Sequence, residues 1–182
     1  GGEGSRLVTS RFDGSERRVL DVPYLPFYIA WNPNGDQLAY LSNWQAIDGP
    51  SMALRLVDLL EDTNSAVTLA SGQPFYFSWS PDGERLLAHI DNERVEVYDL
   101  EGAAESLVIS GGLFSAPHWS PQGEELVYAV AGAASQQLLL TDLEGQPLQE
   151  LTGYRGRATF SFSPDGERVA YIVTEDDTLA GT

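Results

Sequence analysis

Short apolar segments alternate along the chain with tight polar turns, and no stretch of useful length has the 3.6-residue apolar spacing of a helix. Segments such as 95–98 (Val-Glu-Val-Tyr) are rich in strand-forming residues and are bounded by turn residues. They follow one order: strand, tight turn, strand, longer loop, strand, tight turn, strand. This pattern predicts an all-β chain made of four-stranded antiparallel meanders.

One five-residue pattern occurs four times, and successive copies begin 48, 40 and 43 residues apart. The copies are Trp31–Gly35, Trp79–Gly83, Trp119–Gly123 and Phe162–Gly166, and each is followed by an acidic residue and then by aliphatic residues. A four-stranded unit of about this length is typical of β-propeller blades, which we name by strands a to d in chain order. The repeat therefore predicts a β-propeller.

The repeated pattern has the chemistry of a type I turn. The four residues after the aromatic one form the turn, with Ser or Asn first, Pro second and Gly fourth, which are the residues that such a turn prefers. A second turn, at 99–102 and 142–145, follows about 20 residues later and separates strand c from strand d. Residues 11–14 and 58–61 are weaker counterparts of this second turn.

The Trp-Ser-Pro-Asp-Gly pattern resembles the repeats of TolB-like, WD40-like (PD40) propellers, and the resemblance covers nearly the whole chain. Asn34 and Gln122 replace the usual Asp, and Phe162 replaces Trp, all of which suit a turn or a core aromatic. The resemblance implies an extracytoplasmic scaffold that contacts proteins or peptides through one face and the central channel. It is specific for the fold and much less so for function.

The repeat predicts three complete blades, and a half blade at each end of the chain. The blades are expected at about 27–69, 75–109 and 114–151, and the half blades at 5–20 and 158–175. Residues 1–5 are expected to be a tag or linker. The half blades are complementary, so the termini can complete a fourth blade. Two alternatives stay open: a fragment of a propeller of about six to eight blades, and two chains forming one ring as a homodimer.

The chain has 27 acidic and 10 basic residues, a formal net charge of -17. This charge repels phosphate backbones and anionic lipid headgroups, so we expect neither a nucleic-acid partner nor membrane insertion. The apolar runs are also shorter than the about 20 residues of a membrane span. The absence of cysteine excludes disulfides and thiolate chemistry.

The sequence predicts no catalytic residues, no metal site and no cofactor. It has neither a Gly-x-Ser-x-Gly elbow nor a Walker-type loop, so the minimum parts of hydrolase and nucleotide chemistry are missing. The two histidines, His89 in a b strand and His118 in an a strand, occupy non-equivalent positions and have no cluster of carboxylates around them. His118 either faces the channel or is a hydrogen-bonded structural residue.

The a-to-b and c-to-d turns of a meander lie at one end of the blade, and this end is predicted to be acidic. It collects Asp13, Asp36, Glu61, Asp62, Asp82, Glu84, Glu101, Glu124, Glu125, Glu144, Asp165 and Glu167. Solubility explains this charge most simply, and docking of a basic partner is the alternative.

The opposite end, formed by b-to-c loops and d-to-a links, is the predicted binding face because it carries aromatic and Arg residues. The candidates are Trp44, Tyr24, Tyr154, Arg155, Arg157 and His118. Trp44 is expected in an unusually long loop, residues 43–51, which favours a functional role. In the alternative interpretation, Tyr24 and Tyr154 pack between blades and Arg155 pairs with local acids.

The preferred function is a non-catalytic protein- or peptide-binding scaffold. One alternative is an accessory or gating propeller of a larger enzyme, such as a prolyl-oligopeptidase-type peptidase or a sugar lyase. Another is binding of neutral carbohydrate through exposed aromatics, since the net charge would repel acidic polysaccharides. The recurring aromatics at positions 31, 79, 119 and 162 are interpreted as packing between blades rather than as a ligand site.

Overall fold

The computed structural model describes residues 5–22, 24–60, 66–100, 104–108 and 114–174. All regular structure in these ranges is strand and turn, in antiparallel sheets. The predicted all-β fold class is confirmed. The chain divides into two compact units, which we call the first unit (Gly1–Gln73) and the second unit (Pro74–Thr182).

The first unit holds a two-stranded sheet and a four-stranded blade. The two-stranded sheet pairs β1 (Ser5–Thr9) with β2 (Arg18–Val22). The blade consists of β3 (Pro26–Trp31), β4 (Gln37–Ala46), β5 (Gly49–Asp58) and β6 (Val67–Gly72). Each of its strands pairs with the next one along the chain, so the blade is a meander.

The second unit holds two four-stranded blades and one two-stranded sheet. Its first blade consists of β7 (Phe75–Trp79), β8 (Arg85–Ile90), β9 (Arg94–Asp99) and β10 (Ala104–Val108). Its second blade consists of β11 (His118–Trp119), β12 (Leu126–Ala131), β13 (Gln136–Thr141) and β14 (Pro147–Tyr154). The last sheet pairs β15 (Ala158–Phe162) with β16 (Val169–Val173). Residues 109 and 175, which end a predicted blade and half blade, lie outside the described ranges.

One backbone hydrogen bond closes the a-to-b turn in all four copies of the repeat. In the first copy the Gly35 N–H donates to the Asn32 carbonyl at 3.1 Å, and the same bond measures 2.9 to 3.0 Å in the other copies. The glycine φ angles lie between 76 and 78°, in the left-handed region that favours glycine. The repeated sequence is thus required by the turn, as predicted.

The first polar residue of each copy locks its turn. Ser80 Oγ donates to Asp82 at 2.5 Å and accepts the N–H of Arg85 at 2.9 Å. In the first copy Asn32 Oδ1 accepts three backbone N–H groups, those of residues 35, 36 and 37, at 3.0 to 3.1 Å. These bonds satisfy backbone donors that the turn leaves outside the strand ladder.

Gln122, one of the departures from the repeat, joins two turns of the second unit. Its Nε2 donates to the Asp165 carbonyl at 2.9 Å. An Asp side chain at this position would offer no N–H donor. The substitution therefore fits a contact between neighbouring copies of the turn.

Each core lies between adjacent sheets of one unit. In the first unit, the blade residues Leu38, Tyr40 and Val57 pack against Leu7, Leu20 and Val22 of the two-stranded sheet. In the second unit, one cluster joins Leu87, Val95 and Val97 to Leu126 and Tyr128, and another joins Val127, Ala129, Leu138 and Tyr154 to Phe160. Packing between blades provides the cores, as expected for a propeller.

The repeated aromatics fit the interblade interpretation best in the second unit. Trp119 packs against the cluster that contains Leu87 and Tyr128. Its Nε1 donates to the Ser78 carbonyl of the neighbouring blade at 3.4 Å. Phe162 packs against the last cluster. Trp31 differs, since 48% of its surface is exposed.

The described acids lie at the predicted turns of both units. They are Asp13 and Asp36 in the first unit, and Asp82, Glu84, Glu124, Glu125, Glu144, Asp165 and Glu167 in the second. Glu61, Asp62 and Glu101 lie outside the described residues. Solubility as the role of this charge stays a prediction, with docking of a basic partner as its alternative.

We predict that Gly35→Ala lowers the free energy of unfolding by about 1 kcal/mol, because an L residue at φ +77° is strained. An added Cβ would meet no heavy atom within 4 Å, so the cost is one of backbone conformation alone. Urea denaturation measures the change. Gly153→Ala is the matched control: its Cβ would make ordinary contact at 3.5 Å, and the expected change is below about 0.5 kcal/mol. Equal losses in the two variants would contradict this explanation.

We also predict an acid-dependent loss of stability that involves Asp82. The Ser80 hydroxyl, and then the Glu84 N–H, lower the pKa of this carboxyl from its usual 3.8. The contribution of the Asp82 carboxylate to the free energy of unfolding is therefore present above about pH 4. It is lost as the pH falls through the lowered pKa. Asp82→Asn keeps the acceptor oxygen but does not titrate, so its unfolding free energy should fall less between neutral and acid pH. Asp48→Asn, at an exposed hairpin tip, is the control, and identical acid profiles for wild type and Asp82→Asn would contradict the prediction.

Candidate functional site

The β4–β5 hairpin of the first unit is longer than its counterparts. Both strands have ten residues, against six in each strand of the β8–β9 hairpin. Ala46 pairs with Gly49 across a turn of two residues, and Gly49 has a φ of 130°. The sequence interpretation of 43–51 as a loop was wrong, because the ladder continues almost to the tip. Trp44 therefore lies on a strand, which orients it more firmly than a loop would.

One face of this hairpin extends from the core to the tip, because alternate residues of a strand lie on the same face. Tyr40, Ser42 and Trp44 follow one another on this face of β4. In the ladder, Tyr40 stands opposite Arg55 and Trp44 stands opposite Ser51. Tyr40 is part of the core cluster of the first unit. The face therefore begins in the core and reaches the b-to-c end of the blade at Trp44.

At that end, two aromatic rings enclose a guanidinium group. The rings of Tyr24 and Trp44 are 5.5 Å apart with an angle of 73° between them. The Arg55 guanidinium carbon lies 5.6 Å from the Tyr24 centroid and 5.3 Å from the Trp44 centroid. These distances are within the range of cation–π attraction. We call Tyr24, Trp44 and Arg55 the aromatic–Arg cluster.

A pocket of about 290 Å³ opens beside this cluster. Its apolar walls are Tyr24, Trp44, Pro50 and Met52, and its amide groups include those of Asn43 and Gln73. None of its lining residues is charged, so its polar chemistry is that of amides and hydroxyls. Such a mixture of aromatic wall and neutral hydrogen-bonding groups is typical of binding sites.

Burial shapes the electrostatics at the inner end of the same face. Arg55 is only 6% exposed, and its Nε donates to Ser42 Oγ at 3.3 Å. The Tyr40 hydroxyl is buried and has no acceptor among the described residues. Burial raises the pKa of Tyr40, and the charge of Arg55 opposes that rise. The phenol is therefore a neutral O–H donor at physiological pH.

Sequence reasoning missed Arg55. The corresponding ladder positions of the other blades hold Glu96, opposite Ala88, and Leu139, opposite Tyr128, so the repeat does not specify a residue type there. The available signal was an arginine within the otherwise apolar run 52–57 (Met-Ala-Leu-Arg-Leu-Val). A charged residue inside a buried strand needs a partner or a function.

The structure brings Tyr24 and Trp44 together but places Tyr154 elsewhere. Tyr154, which was expected in a d-to-a link, ends β14 and is only 3% exposed in the cluster with Phe160. The strand continues past the predicted end at Leu151 because its ladder with β13 extends to the Gln136–Tyr154 pair. Tyr154 therefore packs between blades, as in the alternative interpretation. Arg155 and Arg157 are exposed just beyond it, and their binding role stays a prediction.

Both histidines lie in strands of the second unit, as predicted. His118 is half-buried and packs edge-on against Phe160, with ring centroids 5.5 Å apart. His89 is buried, stacks on Phe114 at 4.7 Å, and forms a 2.6 Å hydrogen bond between Nδ1 and the Ser115 carbonyl. Burial lowers the pKa of both side chains. These contacts describe packed side chains, and a channel-facing role for His118 stays a prediction.

No group of three or more His, Asp or Glu side chains in the described ranges is arranged to hold a metal ion. Nor do these ranges contain a helix with the length and hydropathy needed to cross a membrane.

Comparison with known proteins identifies the fold. No protein-family model matches the chain, and no curated protein matches its sequence. TolB from Acinetobacter baumannii matches 94% of this chain and 44% of its own, with TM-score 0.60 and 21% identity. The β-propeller domain of the Trilobed protease from Pyrococcus furiosus matches 96% and 56%, with TM-score 0.61 and 14% identity. An oligogalacturonate lyase solved with manganese matches 91% and 52%, with TM-score 0.58 and 16% identity.

These similarities show that the chain has a TolB-like β-propeller fold. At such low identities they support the fold alone. The chain spans about half the length of these solved structures.

We predict that both histidines titrate below pH 6.5, because burial disfavours the charged imidazole. In the unfolded chain they protonate near pH 6.5, so the stability that neutral histidines provide is present above this pH and declines as the pH falls below it. NMR titration of the ring C–H signals measures both values, with a short histidine peptide as the reference. A pKa at or above 6.5 for His89 would show that burial does not control its protonation.

Proposed function

We propose that the chain is a non-catalytic propeller scaffold that binds a protein or peptide. The binding site is the pocket at the b-to-c end of the first unit. The main support for this proposal is the aromatic–Arg cluster. Its Tyr24 and Trp44 rings contact the Arg55 guanidinium, and the same two residues line the pocket. Tyr, Trp and Arg are the residues that most often dominate binding energy at protein interfaces.

The dimensions and lining of the pocket favour a peptide side chain over a cofactor. At about 290 Å³ it lies at the lower limit for drug-sized ligands, whose sites hold about 300–1,000 Å³. Pro50 and Met52 add apolar contact, and Met adapts well to different ligand shapes. The neighbouring amides of Asn43 and Gln73 supply donors and acceptors that suit a peptide backbone.

Rigid support also favours binding at this position. Trp44 lies on a strand whose inner part is locked in the core, so little side-chain freedom remains to be lost when a ligand binds. In this proposal the exposed Arg155 and Arg157 form a second contact region, in the second unit. We place the scaffold outside the cytoplasm, on the strength of its TolB-like fold alone.

The test uses phage that display random 12-residue peptides, selected on the full chain. For the selected peptides we predict that Trp44→Ala and Tyr24→Ala each lower affinity at least about tenfold, measured by fluorescence anisotropy. Phe12→Ala is the matched control: Phe12 is fully exposed in the β1–β2 turn, at the opposite end of the unit, and its loss should leave affinity unchanged.

Circular dichroism of each variant separates loss of binding from loss of fold. Two outcomes would overturn the proposed site: selected peptides whose affinity is insensitive to Trp44→Ala, or a failure to select any peptide. Saturable binding of neutral oligosaccharides to the Trp44 pocket would instead support the carbohydrate alternative.

A second candidate function is an accessory propeller of a larger enzyme. It is favoured by the similarity to the propeller domain of a protease, of which the chain covers 56%. The coding sequence on either side of this chain discriminates between the two. A neighbouring domain with a Gly-x-Ser-x-Gly elbow would support the accessory role.

A further inference from the structure

Arg55 is a buried cation without an acidic partner. It and Glu96 are the charged residues that are buried in the described part of the chain, with 6% exposure each. Glu96 is neutralised locally, since Arg94 Nη1 lies 2.9 Å from its carboxylate and the Tyr98 hydroxyl donates to it. Among the described residues, no carboxylate lies within ion-pair distance of Arg55. A buried charge of this kind is costly unless something pairs with it.

The guanidinium still has hydrogen bonds to donate. Its Nε is bound to Ser42, but neither Nη nitrogen has an acceptor in the described part of the chain. The Tyr24 and Trp44 rings stabilise the positive charge, yet cation–π contacts do not replace in-plane acceptors. Four N–H groups therefore remain on a planar, preorganised fork beside the pocket.

We propose that Arg55 is a carboxylate-binding residue and that the peptide bound by this scaffold presents a carboxylate to it. This inference rests on the proposed function and names the ligand chemistry of the same site. Two parallel Nη donors match the two oxygens of a carboxylate, which gives a bidentate, charge-assisted pair. The rings above the fork exclude water from the pair and so strengthen it.

The charge of the site favours a carboxylate over a phosphate. The lining of the pocket is uncharged, so Arg55, which lies against the Tyr24 and Trp44 walls, supplies one positive charge to one negative charge. A phosphate with about two negative charges would leave one unpaired. The net charge of -17 repels anions in general, so recognition of an acidic ligand depends on this one desolvated cation.

NMR of the Arg55 side chain in the intact chain tests the proposal without any variant. The Nε–Hε signal is assigned from its NOEs to the Tyr24 and Trp44 ring protons. The probes are N-acetyl-glutamate amide, its neutral isostere N-acetyl-glutamine amide, N-acetylglycine and inorganic phosphate. We expect saturable shifts with at least one carboxylate probe and none with the glutamine amide.

The two carboxylate probes distinguish the source of the group. A shift with the glutamate amide indicates an acidic side chain, and a shift with N-acetylglycine indicates a peptide C-terminus. Equal responses to the glutamate and glutamine probes, no response to either carboxylate, or stronger saturation by phosphate would each overturn the proposal.

A conservative variant adds a quantitative test with the phage-selected peptides. Arg55→Lys keeps the positive charge but loses the fork, so affinity should fall about tenfold, and the acidic position should lose its advantage over an amide. Selected peptides that require Trp44 but bind equally well after their acidic side chains and their C-terminal carboxylate are converted to amides would overturn this inference and leave the scaffold proposal intact. Peptides that do not require Trp44 would overturn the scaffold proposal, whereas the NMR titration still decides whether Arg55 binds carboxylates.

Discussion

The architecture depends on one constraint, the register set by the a-to-b turn. The carbonyl of the first polar residue and the N–H of a left-handed glycine meet in every copy, and this bond fixes which residues of strands a and b face each other. Side chains alternate along a strand, so a slip of one residue would exchange the two faces of the blade. Tyr40 would leave the core, and Arg55 would lose its aromatic cover. The turn therefore fixes which face of β4 enters the core, and the β4–β5 ladder places Arg55 on that same face.

The candidate site is a continuation of the core of the first unit. One face of β4 passes from Tyr40, within the apolar cluster, through Ser42 to Trp44 at the end of the blade. The longer hairpin adds the residues that extend this face beyond the packed interior. The inner part of the face supplies rigidity, and the outer part supplies a surface for contact. A stable blade can hold a buried arginine because Ser42 and two rings partly compensate its burial.

The turns made most of the fold predictable, because their residue requirements are local. Interpretation of the loops was less successful, because the residue types of a short segment do not show which contacts it makes with distant strands. Residues 43–51 contain Asn, Asp, Gly and Pro, which are common in loops, but the ladder of β4 and β5 runs through most of them. Tyr154 follows a Gly and precedes an Arg, yet its ring fills a space between two sheets. Cross-strand pairing decided the first case and packing between sheets decided the second. Neither kind of contact can be predicted from a short segment of sequence.

By itself, the sequence determined the repeating unit, the position of each tight turn and the all-β class, because backbone preferences of Pro, Gly, Ser and Asn act over four or five residues. It also identified Trp44 and Tyr24 as candidates, from residue type and position. Only the tertiary structure decided that these two rings meet, that Tyr154 is buried, and that Arg55 lies beneath the rings. Residues 24, 44 and 55 converge through strand pairing and sheet packing, so their proximity depends on contacts that span some 30 positions of the chain.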